Sequence, residues 1–516
     1  MNAEHFDVII VGAGLSGIGA GYHLQDKCPD RTYAILERRE AIGGTWDLFR
    51  YPGIRSDSDM HTLGYSFKPW MDEKAIADGP SIRNYVRETA AENGIDKHIH
   101  FGIQVKAASW STPDSRWTIQ ALRGEGEAAE PVTFTCNFLF MCSGYYNYDQ
   151  GYTPEFEGRD DFRGEIVHPQ KWTEDIDHAG KKVVVIGSGA TAMTLVPEMA
   201  KTAAHVTMLQ RSPTYVVSAP ERDEWNLWMR EKIGHKLAYA ITRWRNILLF
   251  SVMFQFCRRF PNAAKRGILK KVYEALPNYD VKTHFTPRYK PWDQRMCLVP
   301  DGDLFDAING GSASVVTDHI DRFTETGIRL KSGEELEADM IVTATGLNLL
   351  FLAGLEITVD GERKDLSESL TYKAILFSDI PNLAMAVGYT NASWTLKCDL
   401  TCEYVTRLLN HMKEHGYTQA CPRPDGTPVD SEEMLALNSG YIQRSIGSFP
   451  RQGTKEPWKA YQNYLRDILM VRHGKITDEA LEFSRPAKPA ETAPAPQATS
   501  GAATESEANE DRAAVA

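Results

Sequence analysis

The stretch FDVIIVGAGLSG, residues 6–17, joins an apolar run to three glycines spaced G-x-G-x-x-G. An apolar run of this length bounded by glycine reads as a buried parallel strand that opens into a helix. Gly12 makes the tight turn, Gly14 lets the backbone approach a pyrophosphate, and Gly17 lets the helix pack close to the strand. The helix N-terminus then turns free N–H groups and a positive dipole end toward the phosphates. A second strand, YAIL at residues 33–36, ends in Glu37, which is placed to accept a hydrogen bond from a ribose hydroxyl. Strand, glycine loop, helix, strand and acid together predict a dinucleotide site, and the acid suits a ribose without a 2′-phosphate, as in FAD.

The same arrangement occurs again. KVVVI, residues 182–186, opens into Gly187-Ser188-Gly189-Ala190-Thr191-Ala192, the permitted G-x-G-x-x-A variant. The strand after it, residues 206–209, ends in Gln210-Arg211-Ser212 rather than in an acid. Arg211 can grip a 2′-phosphate by a bidentate pair and Ser212 can donate to it, so this second site calls for NADPH. The expected class is α/β, with two Rossmann-like dinucleotide-binding domains of the three-layer type, the NADPH domain inserted in the FAD domain. Boundaries follow at 1–145 with 335–485 for FAD and 146–220 with 278–334 for NADPH. Residues 221–277 form a helical insertion. The tail 486–516, rich in Ala, Pro, Glu and Thr without an apolar period, is expected to be disordered.

At 516 residues the chain is too long for one simple core. Its 42% hydrophobic and 24% charged residues describe an ordinary soluble protein. A net charge of -12 argues against a general nucleic-acid binder, which needs a concentrated positive surface. The eight cysteines show no C-x-x-C pair, so neither a metal site nor a redox dithiol is expected, and reduced cytoplasmic thiols are the default. The N-terminus runs straight into a strand without a signal-peptide pattern, and no stretch approaches the ~20 apolar residues of a spanning helix. Cytoplasmic localisation follows as an expectation; oligomeric state is not legible.

Other segments carry weaker signals. Residues 79–101 read as an amphipathic helix leading into a strand. Residues 117–120 and 132–135 read as a hairpin, and 138–142 as a further buried strand. Tyr145, Tyr146 and Tyr148 after it suit a domain surface. In the insertion, Arg243, Arg245, Arg258 and Arg259 flank the apolar run 247–257. A basic amphipathic segment at 243–259 can rest on an acidic membrane surface; packing against the domain or a channel wall is the plainer reading. A strand at 340–345 ends in Ala344-Thr345-Gly346. Residues 383–387 lead through polar residues toward a helix start, which suits partial negative charge and makes Thr390 and Asn391 candidates at the flavin ring.

Three further stretches complete the picture. Between the two loops lies FRGEIVHPQKW, residues 162–172, with Phe162, Gly164, His168 and Trp172 in the pattern F-x-G-x-x-x-H-x-x-x-W. After the first loop come Gly43-Gly44-Thr45-Trp46 and Tyr51-Pro52-Gly53-Ile54-Arg55-Ser56-Asp57. Paired glycines permit a second close backbone approach, and Trp46 can wall a flat ring. Residues 289–300 read YKPWDQRMCLVP. Taken alone, His168 reads as a hydrogen-bonded hinge residue, Asp57 as a loop cap and Arg295 as a structural ion-pair residue.

Together these stretches resemble the type I Baeyer–Villiger monooxygenases, class B flavoproteins, and 289–305 resembles the branch that activates the prodrug ethionamide. Thr173 stands where that family often has Pro or Asp, and Gln294 where many relatives have Lys, which puts more weight on Arg211. The resemblance implies FAD bound by Gly12, Gly14, Gly17, Glu37, Gly44, Thr45, Trp46 and Asp57, with Thr390 and Asn391. It implies NADPH bound by Gly187, Gly189, Ala192, Arg211 and Ser212. Arg295 takes the catalytic role and Asp57 orients it, and Ala344-Thr345-Gly346 returns the chain to the flavin domain. The implied reaction converts ketones to esters or lactones with NADPH and O2 through a C4a-peroxyflavin, and a thioether or thioamide sulfur is a second target. The alternatives are a flavin-containing N/S-monooxygenase and a flavoprotein redox sensor without catalysis. Trp172 and Arg295 speak for the Baeyer–Villiger reading.

Overall fold

The computed structural model describes residues 3–424, 430–435 and 438–485; the tail expected to be disordered lies outside them. Glu4–Val11 is a strand with Tyr33–Leu36 and Glu130–Met141 parallel to it on either side. Its alternate residues face opposite cores. Val8 and Ile10 pack with the helices, while Ile9 and Val11 pack with Trp110 and Trp117. All four are buried, which is why the run reads as continuously apolar rather than alternating. Each such Val or Ile contributes about 1.5–3 kcal/mol. Helix α1, Leu15–Lys27, follows the glycine loop, and α2, Gly79–Glu92, carries a Pro in its first turn and Asp78 as N-cap. The antiparallel strands Ile103–Ser111 and Arg116–Arg123 extend the sheet beyond Glu130–Met141. The hairpin expected from 117–120 and 132–135 is present, and its second arm runs on without a break into the strand expected at 138–142, as the single strand Glu130–Met141.

The second sheet is wholly parallel, in the order Ala313–Thr317, His205–Gln210, Lys182–Ile186, Met340–Thr343, Glu165–Val167. Helix α3, Ala190–Met199, packs on one face, and an antiparallel layer of Ile320–Thr324, Gly327–Leu330 and Glu335–Glu337 covers the other. This corrects the boundary expected at 335. Met340–Thr343 is completely buried and needs a hydrogen-bonded neighbour on each edge, which it finds in the second sheet. The chain returns to the first unit only at Gly346, at φ +114°.

The two connectors travel together: Tyr146–Gly151 going out pairs antiparallel with Leu347–Leu349 coming back. The insertion is three helices, α4 (Glu224–Ile233), α5 (His235–Arg259) and α6 (Pro261–Ala275). It packs on the first unit. Arg243 is buried and donates to the carbonyls of His61, Thr62 and Gly64 at 2.8, 3.2 and 2.7 Å, with Asp399 at 3.5 Å. Arg245 pairs with Asp223 and lies over Trp225, and Arg258 meets Asp293 at 3.1 Å. Arg243 and Arg258 therefore tie the insertion to the rest of the chain, while Arg245 ties α5 to the start of α4, and all three have partners within the protein. Helix α7, Trp394–His415, closes the first core against α1. No helix among the described residues is long and apolar enough to cross a membrane.

Candidate active site

The glycine loops do what their spacing requires. Gly12 sits at φ +105°, and a Cβ there would lie 2.7 Å from the Cys142 carbonyl oxygen. A Cβ on Gly17 would lie 1.8 Å from the Gly12 carbonyl oxygen, so helix and turn touch backbone to backbone. In the second unit Gly187, at φ +139°, meets the Ala344 carbonyl in the same way, and Ala192 is buried. Gly189 faces open space. Both helices begin at a glycine, Gly14 and Gly189, with no side chain capping the first turn. Uncapped amides at two helix starts that face one cleft form a cradle for anionic groups.

That cleft, about 570 Å³, runs between the units. Glu37 borders it at the end of its strand and is buried, accepting from Ala13 N at 2.7 Å and Arg39 N at 2.9 Å. Burial pushes its pKa up, and the two backbone donors oppose that shift. Each carboxylate oxygen keeps a lone pair for a hydroxyl donor, as an FAD ribose requires. Gly44, at φ +56°, starts the helical turn Thr45–Leu48, and Gly44, Thr45 and Trp46 all reach the cleft. The residues present fit FAD.

Asp57 and Arg295 meet on the cleft wall. Arg295 Nη2 donates to Asp57 Oδ1 at 3.0 Å and stands 2.8 Å from Oδ2. Their side chains are 33% and 30% exposed, so both remain accessible from the cleft. The Asp57 charge is the chief cause holding the Arg295 pKa above its usual value. Local folding aims each of them. Ser56 is buried and its Oγ accepts from Ser58 N at 3.0 Å, forming a tight turn that leaves Asp57 pointing outward. Asp59 plays the capping part instead, accepting from Thr62 N at 3.1 Å and from Asn246 Nδ2 at 2.9 Å. Arg295 precedes the strand Cys297–Pro300, which pairs parallel with Val216–Ala219. On its other side Trp292, at φ +69°, packs edge-on to Phe254 with ring centroids 5.4 Å apart.

Three tyrosines missed as site residues surround the pair. Tyr145, Tyr146 and Tyr441 line the cleft, and the Arg295 charge lowers the pKa of each against the upward push of burial. Tyr145 and Tyr146 stand in a run that suggested a domain surface, and Tyr441 lies outside every motif read from the sequence. Burial also pushes the Cys297 thiol up to about 12.

The linker residues hold the connectors. Phe162 packs beneath the second sheet, and a Cβ on Gly164 would lie 2.4 Å from the Asp339 carbonyl. The His168 Nδ1 accepts from Gln170 N at 3.1 Å, so Nε2 carries the proton toward the Gly346 carbonyl at 3.3 Å. Gly151 lies against the ring, since a Cβ there would come within 2.0 Å of it. His168 is thus hydrogen-bonded at the root of the paired connectors, outside the cleft, and Trp172 is buried in the second core. Ser212 borders the cleft and its carbonyl accepts from Ser188 Oγ at 3.2 Å, while Arg211 is exposed with no partner among the described residues. An unpaired guanidinium beside this loop fits an NADPH 2′-phosphate.

Thr390 and Asn391 do not reach the cleft. The Thr390 amide and hydroxyl donate to Gln462 Oε1 at 3.0 and 3.1 Å, and Asn391 Nδ2 donates to the Gln462 carbonyl at 2.9 Å. Gln462 draws these polar groups away, and Tyr389, Ala392 and Trp394 form the wall instead.

Comparison with known proteins bears on the whole chain. The model of the flavin-binding monooxygenase-like family matches residues 6–387. The chain belongs to this family. It is an FMO-like enzyme, similar to the FAD-containing monooxygenase EthA of Mycobacterium tuberculosis (strain ATCC 25618 / H37Rv). The two are 53% identical over 488 residues, covering 93% of this chain and 98% of that one. Among solved structures, a steroid monooxygenase bound to NADP superposes with a TM-score of 0.75 at 23% identity, over 93% of this chain and 100% of that one. A cyclohexanone monooxygenase from Rhodococcus sp. Phi1, bound to NADP+, gives 0.72 at 19%, over 94% and 100%. These likenesses establish for the FMO-like chain the two-domain α/β architecture expected from its two loops.

Proposed function

We propose that this FMO-like chain is an NADPH- and O2-dependent Baeyer–Villiger monooxygenase that converts ketones to esters and cyclic ketones to lactones. A thioether or thioamide sulfur is a second substrate class. The observation that carries this reading is the Arg295–Asp57 pair, standing in a cleft shared by both nucleotide loops. A cytoplasmic setting, where NADPH is kept reduced, belongs to the same reading.

FAD would lie along Gly12, Gly14, Glu37 and the Gly44–Trp46 turn, and NADPH along Gly187, Gly189, Arg211 and Ser212. Bound there, NADPH would supply hydride and FAD would supply the redox ring that meets O2. The protein's own part is electrostatic. Arg295 offers a preorganised cation to the negative charge that builds on oxygen during transfer, and such a donor in a partly dry site commonly contributes about 3–4 kcal/mol to barrier lowering. Asp57 accepts from Arg295 Nη2 by a charge-assisted bond, and a third of the Arg295 side chain stays exposed on the cleft wall. Tyr145, Tyr146 and Tyr441 form a wall that limits water around the cation.

A panel of ketones and thioethers, assayed by NADPH consumption with mass-spectrometric identification of products, tests the reading. Ester or lactone formation by the wild type and its loss in Arg295→Ala supports it. Sulfur oxygenation without any ester would move the chain to N/S-type chemistry. NADPH oxidation that yields only hydrogen peroxide across the whole panel would remove oxygenation altogether.

A further inference from the structure

Helix α5 spends one face on the first unit and leaves the other bare. Leu237, Ile241, Trp244, Leu248, Val252 and Phe256 recur every three or four residues along it and are all exposed, Val252 at 68%. Leu249, at 60%, widens the stripe, and the exposed Trp225 and Trp228 of α4 flank it. Trp244 stands 6.2 Å from Tyr464, and just beyond that residue Leu465 and Leu469 continue the apolar surface. From Leu237 to Phe256 the stripe runs roughly 30 Å along the helix. The arginines within that length, Arg243 and Arg245, are both engaged in the protein interior or an ion pair.

The surroundings of the stripe are strongly basic. Residues 224–275 hold eleven Lys or Arg against three Glu, in a chain whose net charge is -12. Lys232, Lys236, Arg259, Arg266 and Lys271 are exposed and have no ion-pair partner among the described residues. An apolar stripe with interfacial Trp and a cationic border is the pattern of a helix lying in a membrane interface. A second copy of the chain fits less well, because face-to-face pairing of this surface would bring its cations against their own kind.

We propose that the outer face of α5, with Trp225, Trp228 and Leu469 beside it, docks peripherally on an anionic lipid surface. The docked chain lies on the bilayer and does not span it. The apolar residues enter the headgroup–acyl boundary and the free cations of α4 and α6 bind lipid phosphates. Through Phe254 against Trp292 and Arg258 against Asp293, the same helix holds the loop that carries Arg295. The docking stands apart from the ketone reading, since it needs no turnover.

The test uses the full-length, FAD-loaded chain in co-sedimentation with phosphatidylcholine vesicles, with and without phosphatidylglycerol. The wild type is expected to pellet with the phosphatidylglycerol vesicles and to be released by high salt. Leu248→Glu with Val252→Glu, both at exposed positions, should weaken vesicle binding ~tenfold or more. Arg266→Glu with Lys271→Glu should lose a similar factor on the anionic vesicles only. Flavin content and melting temperature should be unchanged in both. Failure of the wild type to pellet with anionic vesicles overturns the proposal, as does undiminished binding by the Leu248/Val252 variant. Light scattering that shows an oligomer dissociated by the Leu248/Val252 variant, without vesicle binding, would assign the face to a second copy.

Discussion

Arg295 and Asp57 are 238 residues apart in the chain and 2.8 Å apart in the fold. One comes from the loop after the insertion and the other from the turn after the second glycine pair, so the pair exists only when both units are docked. Removing either partner should separate reduction from oxygenation. Arg295→Ala is expected to keep NADPH-dependent flavin reduction, seen as bleaching of the flavin absorbance, while ester formation falls by about 10²–10³. Asp57→Asn should retain the shape but release the guanidinium, giving a smaller loss and more uncoupled peroxide. Ester production by Arg295→Ala at wild-type rate would remove its assigned role.

The glycines give a contrasting pair of variants. Gly17→Ala places a methyl 1.8 Å from a backbone oxygen that cannot retreat, so the purified chain should come out depleted of flavin. Gly189→Ala meets nothing within 4 Å in the protein, so its melting temperature should be unchanged. The new methyl would point to where the NADPH pyrophosphate approaches, and KM for NADPH should rise. Equal flavin content in the two variants would contradict the assignment of the first loop to FAD.

Arg211 should govern the choice between the two nicotinamide cofactors. A charge-assisted hydrogen bond contributes about 1.5–3 kcal/mol, so Arg211→Ala should raise KM for NADPH roughly 10–100-fold. KM for NADH should move little. A parallel change for both cofactors would mean that the second loop reads no 2′-phosphate.

His168 makes a pH-dependent contribution. Burial lowers its folded-state pKa below 6.5, and the Gly346 and Tyr152 carbonyls only partly offset this. The neutral ring has the same charge in the folded and unfolded chain above that value, so no pH-dependent term arises there. As pH falls below about 6.5 the unfolded chain takes the proton first, and the folded state loses stability. Melting temperature should therefore drop from pH 7.5 toward pH 6, and His168→Asn should show a shallower drop than the wild type. Identical slopes would mean that His168 titrates alike in both states.

The two nucleotide folds were readable because glycine spacing, β-runs and strand-end residues are local signals. Gly12 through Glu37 and Gly187 through Ser212 each lie within a single βαβ unit. The pairing of Asp57 with Arg295 was accessible only through motif resemblance, since periodicity cannot join positions so distant. What escaped depends on tertiary competition. Gln462, far along the chain, captures Thr390 and Asn391, and no local pattern announces it. Arg243 looks like a solvated cation in sequence, yet it serves three backbone carbonyls left open around residues 61–64. The strand Met340–Thr343 is equally apolar in either unit, and only its hydrogen-bonded neighbours decide where it belongs.

The paired connectors have a mechanical consequence. A lone peptide linker twists and swivels freely, whereas Tyr146–Gly151 zipped to Leu347–Leu349 acts as a leaf spring that flexes across its flat side and resists torsion. His168, wedged between Gly151 and Gly346, stiffens the root of this ribbon. Bending of such a ribbon is easier than twisting it, which keeps the two glycine loops turned toward the cleft they share.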